Sequence, residues 1–365
     1  MICAVTTACF YDERCLSHDN GSMVLDERAS SWLDVPHFER PERLTRTWSV
    51  LEQAGVAAKL HRLELRRATR EELELVHTPA LIDEVEGACA RGEYAWVGPE
   101  ARLGPESWEP ALVAPGGVLA VVDAVVEGAA DNGIALVRPP GHHSTADTPM
   151  GFCLFNSVAI AARHAQRRDD IDRVAIVDWD VHHGNGTEAI FYDDPSVLYI
   201  SLHQDDLYPK GAGTLEHRGA GAGEGYTVNA PLPAGTGDAG YLLAWDDVIA
   251  PRLASFAPDL LLISAGQDPA ASDPLGRMSV TADGFRALTH RAGSAAKRHC
   301  QSRIAIALEG GYSLEHSPFC NLAIVEELAG LEPALAGDPL ELDVPDGLRD
   351  FERAAVERAA AANIR

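Results

Sequence analysis

The stretch from Val174 to Thr187, VAIVDWDVHHGNGT, is the part of the chain whose residue types and spacing most directly suggest chemistry. An apolar run ends in Asp178, Asp180, His182 and His183, with glycines following. Residues two apart on an extended segment point to one side, so these carboxylates and imidazoles can converge on a single cation. The glycines let the backbone turn sharply and keep a site open above the strand end.

The elements that must position these groups follow from the apolar pattern. Ile134–Arg138, Val174–Asp178, Val197–Ser201, Leu260–Ser264 and Ile304–Leu308 are short, rich in branched residues and bounded by Gly, Pro, Asp or Ser, which predicts buried strands. Helical stretches lie between them, at about Gly117–Gly128, Ser157–Arg168, Tyr241–Ser255 and Ala282–His299. The alternation predicts an α/β fold with a mostly parallel sheet covered on both faces. Ligands of such sheets bind beyond the carboxyl ends of the strands. The residues there read PPGHH, DWDVH, SLH, AGQD and EGGY, so metal-binding groups, imidazoles and a phenol recur at one level.

Asp180, His182 and Asp268 form a three-ligand metal set that leaves a position for water, as catalytic zinc requires. Two carboxylates and one imidazole also suit Fe(II) or Co(II). An Asp-x-His pair alone is equally a loop cap; the convergence with Asp268 and a histidine pair favours the metal. His142 and His143 follow a rigid Arg-Pro-Pro-Gly turn and can share the proton work, one toward water and one toward a leaving amine. Each needs a partner on its other ring nitrogen, and Asp178 and Asn185 suit these places. Tyr312 follows two glycines and can donate to a carbonyl oxygen as charge grows on it. Phe152 and Tyr208 can wall a narrow channel, although an isolated Phe is more often core. Glu100 and Glu106 lie in a Pro/Gly-rich loop, Val97–Pro110, where they are either rim acids for an amine or a plain exposed acidic loop.

Composition bounds the partners. The chain has 365 residues, 46% of them hydrophobic, and a formal charge of −25. That charge excludes nucleic acid as a direct partner and mildly favours cationic amines, although an acidic solvated surface accounts for it as well. Seven scattered cysteines with no paired spacing predict free thiols in a reducing, cytoplasmic setting. No leader and no run approaching a membrane span is expected.

The runs RPPGHHS, GFCLFNS, VDWDVHHGNGT, SLHQ, SAGQDPAASDPLG and LEGGY resemble the histone deacetylase superfamily. The closest resemblance is to its bacterial class II branch of deacetylase-like and acetylpolyamine amidohydrolases. The similarity runs from about Thr6 to Leu328. It implies the arginase/deacetylase fold, a single α/β domain over 1–365 with a central parallel sheet of about eight strands. A helical tail is expected over about 340–365. The resemblance further implies hydrolysis of an acyl amide with one catalytic Zn2+ on Asp180, His182 and Asp268. His142 and His143 match the proton-transfer pair, backed by Asp178 and Asn185 respectively, and Tyr312 matches the carbonyl-polarising phenol. Asp178, Asp180 and Ser201 fall where the family binds structural K+. Gly151, Phe152, Tyr208 and Gly311 match the acyl channel, Glu100 aligns nearest to the rim acid, and Arg43 matches a basic residue near the product-exit floor.

Some positions depart from the pattern. Ser157 replaces an Asn or Asp, Gln267 stands where an aromatic is usual, and Ser17 replaces a Trp, a change expected to widen the entrance. The substrate class is a small-molecule or peptidyl acyl-amine: acyl-lysine, an acetylpolyamine or an N-acyl metabolite. A homo-oligomer, dimer or tetramer, is implied by relatives that pair through entrance loops. The alternatives are an arginase-type ureohydrolase, which needs a two-metal cluster, and a non-catalytic binder of acyl ligands.

Overall fold

The computed structural model describes residues 5–23 and 32–363; Cys3 lies outside them. Ten strands follow in chain order. They are β1 (Thr7–Tyr11), β2 (His61–Arg62), β3 (Ala95–Gly98), β4 (Ala101–Leu103), β5 (Asn132–Leu136), β6 (Val174–Asp178), β7 (Val197–Gln204), β8 (Thr227–Leu232), β9 (Leu260–Ala265) and β10 (Ile304–Leu308). Eight of them form one sheet in the order β2-β1-β5-β10-β9-β6-β7-β8, and every pairing within it is parallel. The other two, β3 and β4, form a separate antiparallel hairpin.

The central strands are buried along their whole length. That explains why they read as continuous apolar runs rather than alternating ones. Helices Trp108–Val126 and Ser157–Ala165 pack together as one layer, while Glu42–Gln53, Ala282–His299 and Ser317–Leu328 form another. Helix Ala282–His299 shows why such a segment folds as it does. Thr281 caps its start by accepting Gly284 N, its last turn carries Lys297, Arg298 and His299, and its apolar residues fall on one buried face. Helix Asp350–Ala362 packs along β8, the outermost strand on that side, and thereby covers a sheet edge.

Three expectations need correction. The segment Val97–Pro110 is not a plain loop: it holds most of the β3–β4 hairpin, a 3-10 turn and the start of the next helix. That helix begins at Trp108 rather than near Gly117, because Pro115, Gly116 and Gly117 hide a continuous apolar cylinder. With its preceding turn, Pro105–Val126 is also long and apolar enough to cross a membrane, at a mean hydropathy of 1.6. Most of its residues are buried, which makes it the core helix of this domain. Tyr241–Ser255 is helical but divided, with a π turn at Trp245–Ile249 between Asp238–Ala244 and Ala250–Phe256. All six cysteines among the described residues are free and buried.

Candidate active site and metal centre

Four neighbouring strands, β5, β10, β9 and β6, end at one rim, and the loops beyond them carry the site. After β6 each carboxylate organises the turn that follows. Asp180 N donates to Asp178 Oδ1 at 3.1 Å, and His182 N donates to Asp180 Oδ1 at 2.9 Å. After β9, Asp268 Oδ1 accepts Val181 N at 2.8 Å, which draws the two loops together. The ligand atoms of Asp180, His182 and Asp268 thus lie within 4.8 Å of one another. His182 Nδ1 stands 3.1 Å from both Asp180 Oδ1 and Asp268 Oδ2.

The charges fit a cation site. Burial alone would depress His182, but hydrogen bonds to Asp180 and Asp268 push it up to about 10. Burial, then the Asp180 charge, raises Asp268 to about 7. Two buried carboxylates around one imidazole need positive charge between them. Gly310 is held to glycine by the same crowding, since a Cβ there would strike both the Asp268 and Asp180 carboxylates.

The His142 and His143 rings lie close, centroids 4.0 Å apart and planes tilted by 45°, yet their surroundings differ. His142 Nδ1 faces Asp178 Oδ2 at 3.1 Å, and Tyr199 Oη also donates to Asp178. His143 Nδ1 faces the Asn185 amide oxygen at 2.8 Å. Burial would lower His142, but Asp180 and Asp178 outweigh it and hold the ring well above its ordinary value. His143 is held well below, first by burial and then by His142 and His182. The pair therefore contains one readily protonated imidazole, His142, and one neutral imidazole, His143, that is free to accept a proton.

Tyr312 is fixed through its backbone. Asp273 Oδ2 accepts Tyr312 N at 2.6 Å and Ser313 N at 3.0 Å, and the Arg43 guanidinium lies 4.7 Å from the phenol ring centroid. Burial raises the phenol well above its ordinary value, so it remains a hydrogen-bond donor. His143, Gly151, Phe152, His182, Tyr208 and Tyr312 line a cavity of about 360 Å3, joined by Glu100, Arg102, Trp96 and Leu275. Gly151 has φ +56° and its missing Cβ leaves room for the His143 ring. Phe152 follows at φ +69°, a costly conformation for a side-chain-bearing residue that turns its ring onto Tyr312.

Other candidates fall elsewhere. Glu100 reaches the lining from the hairpin tip, at φ +54°, beside the Tyr208 hydroxyl. Glu106 is exposed in the turn before the core helix and contributes nothing to the lining. Gly311 sits behind the lining: its φ of +111° turns it onto Gln267, and its carbonyl accepts Arg43 Nε at 2.7 Å. Gln267 is buried and bonds Ala265 O, again away from the channel. Ser17 belongs to a separate hollow with Tyr11, Trp48 and Arg62, so it does not widen this entrance. Ser201 lies opposite Asp178 in the β6–β7 register, with its hydroxyl 2.9 Å from His203 Nδ1. Ser157 is buried at the start of its helix.

Three buried acids have no role predicted from the sequence, although Glu309 opens the strand-end run EGGY. Glu39 receives Arg138 Nε at 2.6 Å and Nη2 at 2.8 Å, Arg43 Nη1 at 3.1 Å and Asn20 Nδ2 at 2.7 Å. Asp273 anchors Tyr312, and Glu309 bonds the loop that carries His142. The only hint for Glu39 was its spacing of four from Arg43 at a helix start; Glu309 showed as a lone charge directly after an apolar strand.

A family model described as the histone deacetylase domain matches residues 37–328. The chain belongs to the histone deacetylase family. A histone deacetylase-like amidohydrolase of Pseudomonas aeruginosa is 41% identical over 97% of this chain and 95% of its own length. A probable deacetylase of Archaeoglobus fulgidus is 40% identical over 83% of this chain and 84% of its own. The human polyamine deacetylase HDAC10 is also 40% identical, over 83% of this chain and 45% of its own. The crystal structure of the HDA15 HD domain superposes with a TM-score of 0.87 at 35% identity, covering 98% of this chain and 94% of that one. Membership in the histone deacetylase family assigns the chain to hydrolases of acyl amides, and the single parallel-sheet domain agrees with that fold.

Proposed function

We propose that the protein is a zinc-dependent deacylase that cleaves an acetyl or other short acyl group from an amine. The observation that carries this reading is the placement of Asp180, His182 and Asp268 beneath a channel that His143 and Tyr312 also line. A zinc ion held by these three ligands would supply Lewis-acid activation of water and of the acyl carbonyl. The donor set fits it: two carboxylates and one imidazole, aimed at one point.

The chain's own groups account for the remaining work. His143, neutral and backed by Asn185, takes the proton from water, while His142, held protonated beside Asp178, keeps a positive charge next to the reacting centre. Tyr312 donates its phenolic proton as a hydrogen bond to the carbonyl oxygen while charge develops there. His143 then hands that same proton to the departing amine, so the proton count closes on one imidazole. Phe152, Gly151 and Tyr208 confine the acyl chain, and Glu100 meets the amine side of the substrate at the rim. Asp178, Asp180 and Ser201 are assigned to a structural K+ that stiffens the loop beneath the zinc ligands. A homo-oligomer and a cytoplasmic location belong to the same reading, the latter supported by six buried free thiols.

The test is chelator-sensitive turnover by the purified protein on a matched panel of acetyl-lysine peptides, trifluoroacetyl-lysine, N-acetylputrescine, N-acetylspermidine and neutral N-acyl amines. Turnover restored by zinc supports the reading, and the ranking of the panel names the substrate class. A metal-loaded protein inert on every member is a binder of acyl ligands instead. Two metals per chain with urea-forming activity would mark a ureohydrolase.

A further inference from the structure

Glu309 is the first residue after β10, and it is 1% exposed. A carboxylate at this depth costs folding free energy that an apolar residue would not. Its bonds show where it acts. The backbone N donates to Ala265 O at the end of β9 at 3.1 Å, and the backbone O accepts Arg43 Nη2. The side-chain Oε2 accepts Gly141 N at 2.7 Å and His142 N at 3.1 Å. The next residue, Gly310, donates its N to Asp180 Oδ2 at 2.8 Å. One residue therefore ties the loop after β5, which carries both histidines, to the loop after β10, which carries Tyr312.

We infer that Glu309 is a positioning residue, a strut that sets the tandem-histidine loop at the height at which His142, His143 and Tyr312 address the same amide. The inference rests on the deacylase reading for its catalytic consequence, but its geometric content stands apart from turnover. The two N–H groups require an acceptor oxygen at the reach of a glutamyl side chain. They do not require a charge. Asp keeps the charge and falls one methylene short, whereas Gln keeps the reach and gives up the charge.

The experiment compares Glu309→Gln, Glu309→Asp and Glu309→Ala with the wild type, each checked for metal content. The strut predicts that Gln stays within about fivefold of wild-type kcat, while Asp and Ala fall by about 30-fold or more with KM within threefold, the scale of a small misplacement of catalytic groups. Amide exchange over residues 139–145 reads the geometry without any substrate. It should quicken in Asp and Ala and hold in Gln. The reverse order, with Asp near wild type and Gln impaired, overturns the strut in favour of an electrostatic role. Equal effects of Gln and Asp, or exchange unchanged in Asp, overturn it too. Should Ala fail to fold, the Gln–Asp pair still decides. A wild type without turnover on any acyl amide refutes the deacylase reading and leaves the exchange result to judge the strut.

Discussion

Replacing Glu39 by alanine leaves Arg138 and Arg43 as two buried guanidinium groups without their shared counter-charge. Arg138 is fully buried and Arg43 is 3% exposed, so water cannot step in as a partner. Removing one member of a buried pair costs about 3–5 kcal/mol, because the remaining charge keeps its desolvation penalty. Unfolding entropy of about 2.1 cal/mol/K per residue gives about 0.8 kcal/mol/K for 365 residues, so the thermal midpoint should drop by about 4–6 °C. Scanning calorimetry of the metal-loaded protein, at several scan rates, reads it. The loss should reach catalysis as well, since Arg43 bonds Gly311 O and lies over the Tyr312 ring. Glu39→Gln, which keeps the acceptor oxygen, should fall between the two. A midpoint within 1 °C of wild type in Glu39→Ala would show that the cluster relaxes or hydrates, and the argument from buried charge would fail.

Tyr312→Phe should lower kcat by about 10²-fold or more, the scale of losing one oxyanion donor, and His143→Ala should be comparably damaging. Near-normal steady-state turnover in either variant removes that residue from its assigned step. Asp180→Asn should reduce bound zinc, measured by plasma emission, from roughly one per chain to near none, because an amide cannot supply the anionic ligand. Full metal content in that variant would place the ion elsewhere. Acid should destabilise the fold through Glu39 and Asp338. Burial would raise the Glu39 carboxyl, but Arg138, His18 and Arg43 outweigh it and hold it well below the usual range. His316, also against burial, holds Asp338 at about 2. Both folded values lie below the unfolded ones, so this stability is complete above about pH 5 and is lost as the pH falls toward 2. An urea midpoint flat between pH 6 and 3 would contradict it.

Much of the sheet could be read from sequence because its inner strands are buried on both faces. Val174–Asp178 and Ile304–Leu308 are uninterrupted apolar runs, and the structure has strands at the same bounds. The outer strands carry no such mark. β8 reads TVNAPL, whose Asn and Pro suggest a loop, and Pro is tolerated there because β8 is the last strand of the sheet on its side. β2 is two exposed residues with no pattern at all. At the site, residues that present side chains to a metal or substrate follow recognisable spacings. Glu39, Asp273 and Glu309 instead serve backbone N–H groups or buried guanidinium groups that, Arg43 apart, are far away in sequence, and local pattern gives those distant partners no mark.

The strand order also dictates when a nascent chain can become an enzyme. β10 is the last strand to be synthesised, yet it inserts between β5 and β9 at the middle of the sheet. Until about residue 310 has emerged, the earlier strands can form only two half-sheets, each ending in an open hydrogen-bonding edge that faces the missing keystone. Tyr312 arrives with that strand, so closure of the sheet and completion of the site are one event. Chains stalled just short of it would display two sticky edges and no activity, which makes them substrates for chaperones and proteases rather than slow versions of the finished protein.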